Sequence, residues 1–402
     1  MAKVALCCEL GNGSGHLSLL ADFIKPLKQQ GHEICLIVQN IQTANRIPAF
    51  KGLNIYQAPA LGVSLKKYQA VNFSSLLLNC GYNDSQSLAV IVKAWKLLFD
   101  HIGVDFVIAE HSPTPVLTAK LLGLNCAVTG SGFTVPPLEE VMPNFRIWEQ
   151  IDESVLTQSD ALLVSYLNET FSLLNNEITL HDSSFQFARD LYSHAHQWII
   201  SYPELDHYSQ RDQQKQIYLS REPSNLFKGS EPVWPLADGE KVFIYLNQLS
   251  PHMERIFKQL GSSNYNVLAI VPNANEQLIN KLSTPNLTVQ RKLVDVEQVA
   301  KQCQLVITHA GYATTQDFFL HGIPSLFVPL HVETTMLSVR LGLQQLGFAG
   351  NPSNPAIDIL PMLTTVKKVQ AIWDQSKAFA KKYAEQPHAD FHQISDVIRE
   401  HI

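Results

Sequence analysis

The chain has 402 residues, enough for two or three domains at about 100–200 residues each. Hydrophobic residues make up 46% and charged residues 16%, so core material is ample and disorder is not the default. The 30 Lys and Arg against 36 Asp and Glu leave a net charge of −6, which supplies no basic footprint for duplex nucleic acid or an anionic membrane but leaves room for a local phosphate site.

No uncharged apolar run approaches the roughly 18 residues of a membrane-spanning helix. After Lys3, the run Val4–Cys8 is shorter than the apolar core of a signal peptide, about 7–15 residues. Cys7, Cys8, Cys35, Cys80, Cys126 and Cys303 show no CxxC spacing and mostly lie in apolar, strand-like runs. They read as buried thiols of a reducing compartment rather than zinc ligands or a disulfide framework. The expectation is a cytoplasmic protein without an integral membrane segment.

In chain order, Lys3–Leu10 reads as a strand, followed by a glycine loop and a helix over His16–Gln30. Strands follow at Glu33–Asn40 and Leu53–Ala60, then a variable region and a helix over Gln86–Ile102. Asp105–Ala109 is a buried strand, Pro113–Leu122 a short helix and Asn125–Thr129 another strand. Strands and helices alternating at these lengths imply right-handed crossovers and a parallel sheet. Glu149–Ser193 is mostly helical, and Gln197–Tyr202 returns to strand.

Glu222–Asp238 holds Pro223, Gly229, Pro232 and Pro235 with little periodicity, a linker composition. A second series then begins, with strands at Lys241–Leu246, Tyr265–Pro272, Gln304–Thr308 and Pro324–Pro329 separated by helical stretches. Helices close the chain from Met362 to Glu385 and from Phe391. The organisation is α/β, in two Rossmann-like halves. The first spans 1–222, a hinge 223–240, the second half 241–385, and a terminal helix at 386–402 packs back on the first.

The loop Gly11-Asn12-Gly13-Ser14-Gly15-His16 joins a strand to a helix. It is not a dinucleotide fingerprint. His16 stands at the third glycine position, and the second strand ends in Gln39-Asn40 where a ribose-binding acid belongs. His16 lies at the carboxyl end of the first strand, where open α/β sheets bind ligands. Near a helix N-terminus the dipole favours a neutral imidazole, the state a general base needs. Gly13 and Gly15 shape the loop that supports it. Glu110, ending another strand on the same sheet edge, is placed to fix the tautomer and balance the imidazolium; the bland alternative is a solvated loop carboxylate.

In the second half, Leu305–Thr308 leads through His309-Ala310-Gly311 to a helix beginning near Thr314. Backbone N–H groups at a helix start, with Thr hydroxyls and an imidazole beside them, make an anion site that suits a diphosphate. Thr314 and Asp317 also read as a capping box serving only the helix. Farther on, Gly322-Ile323-Pro324 ends that helix and leads to the next strand, and Glu333 approaches another helix. The pairs His194/His196 and His388/His392 have metal-like spacing but no accompanying cysteine or acid set.

Residues 305–350 resemble the donor-binding signature of family 1 glycosyltransferases, the group of UDP-glucuronosyltransferases, plant flavonoid glucosyltransferases and bacterial antibiotic glycosyltransferases. The Gly11–His16 loop, Gly31-His32-Glu33 and Asp105–Glu110 resemble the same family. The resemblance implies the GT-B fold, two doubly wound Rossmann-like domains with parallel sheets facing across a cleft. The first would bind acceptor and the second donor.

By the same resemblance His16 is the catalytic base and Glu110 the acid supporting it. His309 touches the diphosphate, and Gly311, Thr314 and Thr315 form the phosphate loop. Asp317 binds ribose hydroxyls and Glu333 hydroxyls of the transferred sugar. Three departures stand out. Thr334 replaces the glutamine that usually follows the acid, Ala310 and Ala313 stand where bacterial members often have glycine, and Arg291 takes the place of a base-stacking tryptophan.

The implied activity is inverting, metal- and cofactor-independent transfer of a hexose-type sugar from a UDP- or dTDP-linked donor to the hydroxyl of a small-molecule or lipid-like acceptor. A nucleotide-sugar epimerase or hydrolase, or a non-catalytic nucleotide-sugar-binding protein, would carry the same loops. The apolar stretches Leu61–Tyr82 and Phe133–Phe145 suit an acceptor cleft, and equally suit a core.

Overall fold

Short apolar runs, each followed by an amphipathic stretch, form two parallel sheets in the computed structural model, which describes residues 1–11, 14–62, 66–181, 184–209, 211, 217–219, 229–249, 253–350, 358–384 and 392–400. The chain divides into two compact units, Met1–Arg221 with His388–Ile402, and Glu222–Pro387. Among the described residues no helix is long and apolar enough to cross a membrane.

The first unit holds strands β1 (Lys3–Cys8), β2 (Glu33–Val38), β3 (Asn54–Gln57), β4 (Phe106–Glu110), β5 (Asn125–Gly130), β6 (His196–Ile199) and β7 (Ile217–Tyr218). Its helices in this unit's main run are α1 (Ser14–Ala21), α2 (Ile24–Gln29), α3 (Ile41–Ala44), α4 (Phe73–Leu77), α5 (Ser85–Ile102), α6 (Pro113–Leu122) and α7 (Glu153–Asn175). The sheet order is β3-β2-β1-β4-β5-β6-β7. The chain starts at the centre, winds outward, then returns to β1 and winds the other way. β1 therefore pairs with β4 in parallel, Val4 against Phe106 through Cys7 against Ala109.

Helix α5 shows how the local sequence achieves this. Asp84 caps it by accepting from the N–H groups of Gln86 and Ser87, both at 3.1 Å. Leu88, Val92, Trp95, Phe99 and Ile102 recur at helical spacing and are buried, and Gly103 ends the helix at a φ of 73°. The continuous helix expected over His16–Gln30 is broken instead after Ala21. Pro26 lacks the N–H that would bond to Asp22, and its ring crowds that carbonyl.

The second unit holds β8 (Lys241–Tyr245), β9 (Asn266–Ile270), β10 (Leu287–Gln290), β11 (Leu305–Thr308), β12 (Ser325–Phe327) and β13 (Gly347–Ala349), in the order β10-β9-β8-β11-β12-β13. Helices α8 (Glu254–Gly261), α9 (Glu276–Leu282), α10 (Val296–Ala300), α11 (Tyr312–Leu320), α12 (Val332–Leu343), α13 (Ile359–Lys368) and α14 (Gln370–Ala384) belong to it. Val242, Ile244, Val267, Ala269, Ile307, Leu326 and Leu363 share one buried core. β7, β10 and β13, of two to four residues, are strands that the sequence reading did not include. Residues 222–228 of the proline-rich stretch lie outside the described residues, whereas Ser230 pairs with Val294 in the second unit.

The last helix, α15 (His392–Glu400), packs on α2 of the first unit, with Ile394 and Ile398 buried and Arg399 donating to the Gln30 side-chain oxygen at 2.9 Å. Within the apolar stretches that suit an acceptor cleft or a core, Phe73, Phe133 and Phe145 belong to the core. Phe73 meets Phe133, Phe145 and Tyr192 at ring distances of 6.3, 6.1 and 5.8 Å, and all four are buried.

Past β6, Asp206 and Arg211 form a buried ion pair. Asp206 accepts from Arg211 Nε at 2.7 Å, with side chains 0% and 1% exposed, and from the Tyr218 hydroxyl at 2.6 Å. Arg211 also donates to the Val135 carbonyl, tying the loop after β5 to the segment after β6. Replacing one partner of a buried pair leaves the other charge uncompensated. Asp206→Ala is expected to destabilise the first unit by about 3–5 kcal/mol, measured by chemical denaturation, while the double change Asp206→Ala/Arg211→Met recovers much of the loss.

Candidate functional site

In both sheets the winding direction reverses between two neighbouring central strands, β1 and β4 in the first unit and β8 and β11 in the second. The loops leaving such a pair diverge to opposite faces, so a crevice opens at their carboxyl ends. His16 and Glu110 meet at the first of these places, and His309, Gly311 and Thr314 line a cavity at the second.

In the first unit His16, third residue of α1, turns its Nδ1 onto the Glu110 carboxylate at 3.0 and 3.1 Å. The His16 side chain is 26% exposed and that of Glu110 only 1%. A carboxylate so placed holds the proton on Nδ1 and leaves Nε2 unprotonated in the neutral ring. Cys8, beside Glu110 on the neighbouring strand, places its thiol 3.7 Å from the same carboxylate and 3.5 Å from the Gly11 carbonyl. The His111 ring lies 5.2 Å from that of His16, on a backbone with φ of 45°, a left-handed conformation that costs a non-glycine residue energy.

The glycine that this arrangement requires is Gly11. A Cβ there would stand 2.6 Å from His16 Cγ and 2.7 Å from Cys8 Sγ. Around Gly15 a Cβ would meet nothing within 4 Å, and Gly13 lies outside the described residues. Sequence reasoning also passed over Glu9, buried at 1% exposure, which accepts from the Thr114 N–H at 3.0 Å and the Thr114 hydroxyl at 2.7 Å. Burial pushes its carboxyl from 4.5 up to about 7, against the downward pull of those bonds.

In the second unit a cavity of about 180 Å³ is lined by Tyr245, Asn247 and Gln248 at the end of β8 and beyond it, Thr308, His309, Gly311 and Thr314 from the end of β11 into α11, and Leu330, His331 and Thr334 at the start of α12. Gly311 is the N-cap of α11, with φ −65° and ψ 132°, so Thr314 is the helix's third residue and not its cap. The capping-box reading of Thr314 and Asp317 therefore fails. The first-turn N–H groups of α11 have no partner within the helix. The space above Gly311 is open, since a Cβ there would touch nothing within 4 Å. Ala310 holds a φ of 63°, the region that glycine enters without strain.

His309 is 7% exposed, with Nδ1 2.9 Å from the Val328 carbonyl and Nε2 3.0 Å from that of Gln248. Burial holds its pKa below the ordinary imidazole value despite these carbonyls. A neutral ring can donate to only one of them.

The structure separates the other predicted donor residues from this cavity. Both the N–H and the hydroxyl of Thr315 bond to the Gly311 carbonyl, at 3.0 and 2.9 Å, so it offers no free donor to a phosphate. Asp317 is buried at 7% exposure, and neither it nor half-buried Glu333, the second residue of α12, lines the cavity. Arg291 is instead paired with Glu276. Thr334 turns its hydroxyl to its own helix start, accepting from the N–H groups of Leu330 and His331 at 3.1 and 3.2 Å.

Among the described residues no three His, Cys, Asp or Glu side chains are grouped to hold a metal ion. His196 stacks on Phe106 and Trp198, while His388 and the side chain of His392 lie outside the described residues.

No family model and no curated protein sequence matches the chain. Solved structures do. The spinosyn rhamnosyltransferase SpnG matches with a TM-score of 0.67 at 14% identity, over 100% of this chain and 100% of its own. The glycosyltransferase SsfS6 of Streptomyces sp. SF2575, complexed with thymidine diphosphate, matches with a TM-score of 0.63 at 14% identity, over 100% of both chains. SnogD of Streptomyces nogalater, also a glycosyltransferase, gives 0.64 at 14% identity over 100% of this chain and 99% of its own. The chain thus has the GT-B fold of two Rossmann-like α/β domains.

Two outcomes follow from the packing of the first site. Gly11→Ala is expected to push His16 off Glu110, visible in a crystal structure as a separation beyond hydrogen-bond reach; an unchanged 3.0 Å contact would refute the close-packing requirement. The second concerns Glu9. Its folded-state pKa lies above the unfolded value, so its stabilising contribution is complete below about pH 4.5 and is lost as pH rises to about 7. Glu9→Gln has no charge to bury, and its stability relative to wild type should rise by about 3 kcal/mol across that window, read from paired denaturation curves.

Proposed function

We propose that the protein is an inverting, metal-independent glycosyltransferase that moves a hexose-type sugar from a nucleoside-diphosphate donor, UDP- or dTDP-linked, to the hydroxyl of a small-molecule or lipid-like acceptor. The observation that carries this reading is the His16–Glu110 pair, a half-exposed imidazole oriented by a buried carboxylate at the sheet's switch point. Nε2 of His16 takes the proton of the acceptor hydroxyl as its oxygen attacks the anomeric carbon. The glycosidic C–O bond forms as the bond to the diphosphate breaks, and a single in-line displacement inverts the configuration. Glu110 balances the imidazolium formed.

The departing diphosphate is assigned to the second unit's cavity. Its oxygens replace Gln248 as acceptor from His309 Nε2 and receive the first-turn N–H groups of α11 and the Thr314 hydroxyl. These neutral donors, aimed where charge grows on the leaving group, are the reason no metal or resident cofactor is invoked. His309, Gly311 and Thr314 carry the phosphate contact in this reading, and Thr315 does not. Asp317 and Glu333 remain assigned to ribose and sugar hydroxyls, outside the phosphate cavity. SsfS6 and SpnG have been solved with thymidine diphosphate and SpnG with spinosyn aglycone, which supports a diphosphate donor and a small acceptor here. The six free cysteines, five of them buried, suit a cytoplasmic enzyme.

The first test is a thermal-shift panel with UDP, dTDP, GDP and ADP on wild type and His309→Ala. A nucleotide at about 100 times its Kd should stabilise the wild type by about 2.7 kcal/mol, weakened in the variant. No shift with any nucleotide would reject the donor site. With donor and acceptor in hand, His16→Ala should slow transfer by about 10²–10⁴. A rate within a few-fold of wild type would reject His16 as base, and sugar release without any acceptor would identify a hydrolase.

A further inference from the structure

The His16–Glu110 pair hangs on a turn, and that turn is held by a buried carboxylate the proposed chemistry leaves unused. Glu9 is the first residue past β1. Its Oε2 accepts from the Thr114 N–H at 3.0 Å and its Oε1 from the Thr114 hydroxyl at 2.7 Å. Its own N–H donates to Ser112 Oγ, and the N–H of Leu10 donates to the His111 carbonyl at 3.0 Å. His111, Ser112 and Thr114, following Glu110, are thus all tied to Glu9-Leu10.

Chemistry explains the choice of residue. Pro113 opens α6 without an N–H, so Thr114 supplies the helix's first free donor, and the helix dipole favours a carboxylate there. The Thr114 hydroxyl spends its proton on Glu9, so the Tyr82 hydroxyl, 2.9 Å away and buried, is the donor to Thr114 Oγ1. The turn so held contains His111 in its left-handed conformation at φ 45°. Released, that residue would relax toward the right-handed or extended region, swinging the peptide that follows Glu110.

We infer that Glu9 is a positioning residue: it clamps the turn after β4 to the end of β1 and so keeps the Glu110 carboxylate aimed at His16. Glutamine can serve in its place. Its side-chain oxygen still accepts from the Thr114 N–H, its amide donates to Thr114 Oγ1, and the Thr114 proton turns to Tyr82. Alanine removes both side-chain bonds to Thr114, leaving only the backbone bonds to Ser112 and His111 to hold the turn. The kinetic side of this inference rests on the transferase reading, while its spectroscopic side does not.

The experiment compares full-length wild type with Glu9→Ala, Glu9→Gln and Thr114→Val, using Glu110→Gln as the reference for a broken pair. The ¹⁵N shifts of the His16 ring report which nitrogen carries the proton and whether a carboxylate holds it. Glu9→Ala should move these shifts toward those of Glu110→Gln and lower kcat by about 100-fold, leaving the Kd for UDP or dTDP unchanged. Glu9→Gln should keep wild-type shifts and a kcat within about threefold of wild type. Wild-type His16 shifts in Glu9→Ala, or a Glu9→Gln protein as impaired as Glu9→Ala, would overturn the inference. Should Glu9→Ala fail to fold, Thr114→Val takes its place: partial displacement of the shifts supports the clamp, and none overturns it. If the wild type transfers no sugar, the transferase reading fails and the His16 shifts alone decide on Glu9.

Discussion

The first unit's site depends on the parallel pairing of β1 with β4. Val4 against Phe106 and Cys7 against Ala109 set the register, and that register puts Cys8 level with Glu110. Residues 94 positions apart in the chain then meet at 3.0 Å. A slip of one residue would turn Glu110 to the opposite face of the sheet, since side chains alternate along a strand. The pairing is secured by burial, because Val4, Leu6, Cys7, Phe106, Ile108 and Ala109 are all fully enclosed. Hydrophobic burial, non-directional in itself, here sets the direction of a carboxylate.

That placement carries a cost concentrated within a few residues. Glu9 and Glu110 are each 1% exposed, His111 holds a left-handed backbone, and Gly11 gives up a side chain so that His16 can approach. The burden is offset by hydrogen bonds to every one of these elements and by a core in which Trp198 and Phe106 stack at 6.1 Å.

The two sites handle charge differently. The first keeps fixed carboxylates beneath an imidazole; among the described residues, no Lys, Arg, Asp or Glu lines the cavity of the second. Helix-start N–H groups, hydroxyls and the imidazoles of His309 and His331 face it instead. Such donors attract a phosphate without demanding a counter-charge when the cavity is empty. Structures with only 14% identity share the fold, as expected if packing patterns, more than particular residues, define the sheets.

Much of this was legible in the chain itself. Alternating apolar runs and helical periods identified the principal strands of both sheets, because buried parallel strands leave a dense apolar signature that needs no context. The strand-end positions of His16, Glu110 and His309 followed from the same pattern. What the sequence could not show is where a side chain turns once its element is packed. Thr315 reads like a phosphate ligand but bonds to its own helix, and Phe133 and Phe145, which in the sequence suit a cleft and a core equally, fill a core. Thr314 reads like a cap, yet the helix starts earlier at Gly311. Glu9 gave no signal, because its partners lie more than 100 residues away, and Gly11 looked no different from Gly15 until His16 folded over it. Periodicity is a local property and survives in the linear chain; contact between distant residues exists only after strand order and register bring them together.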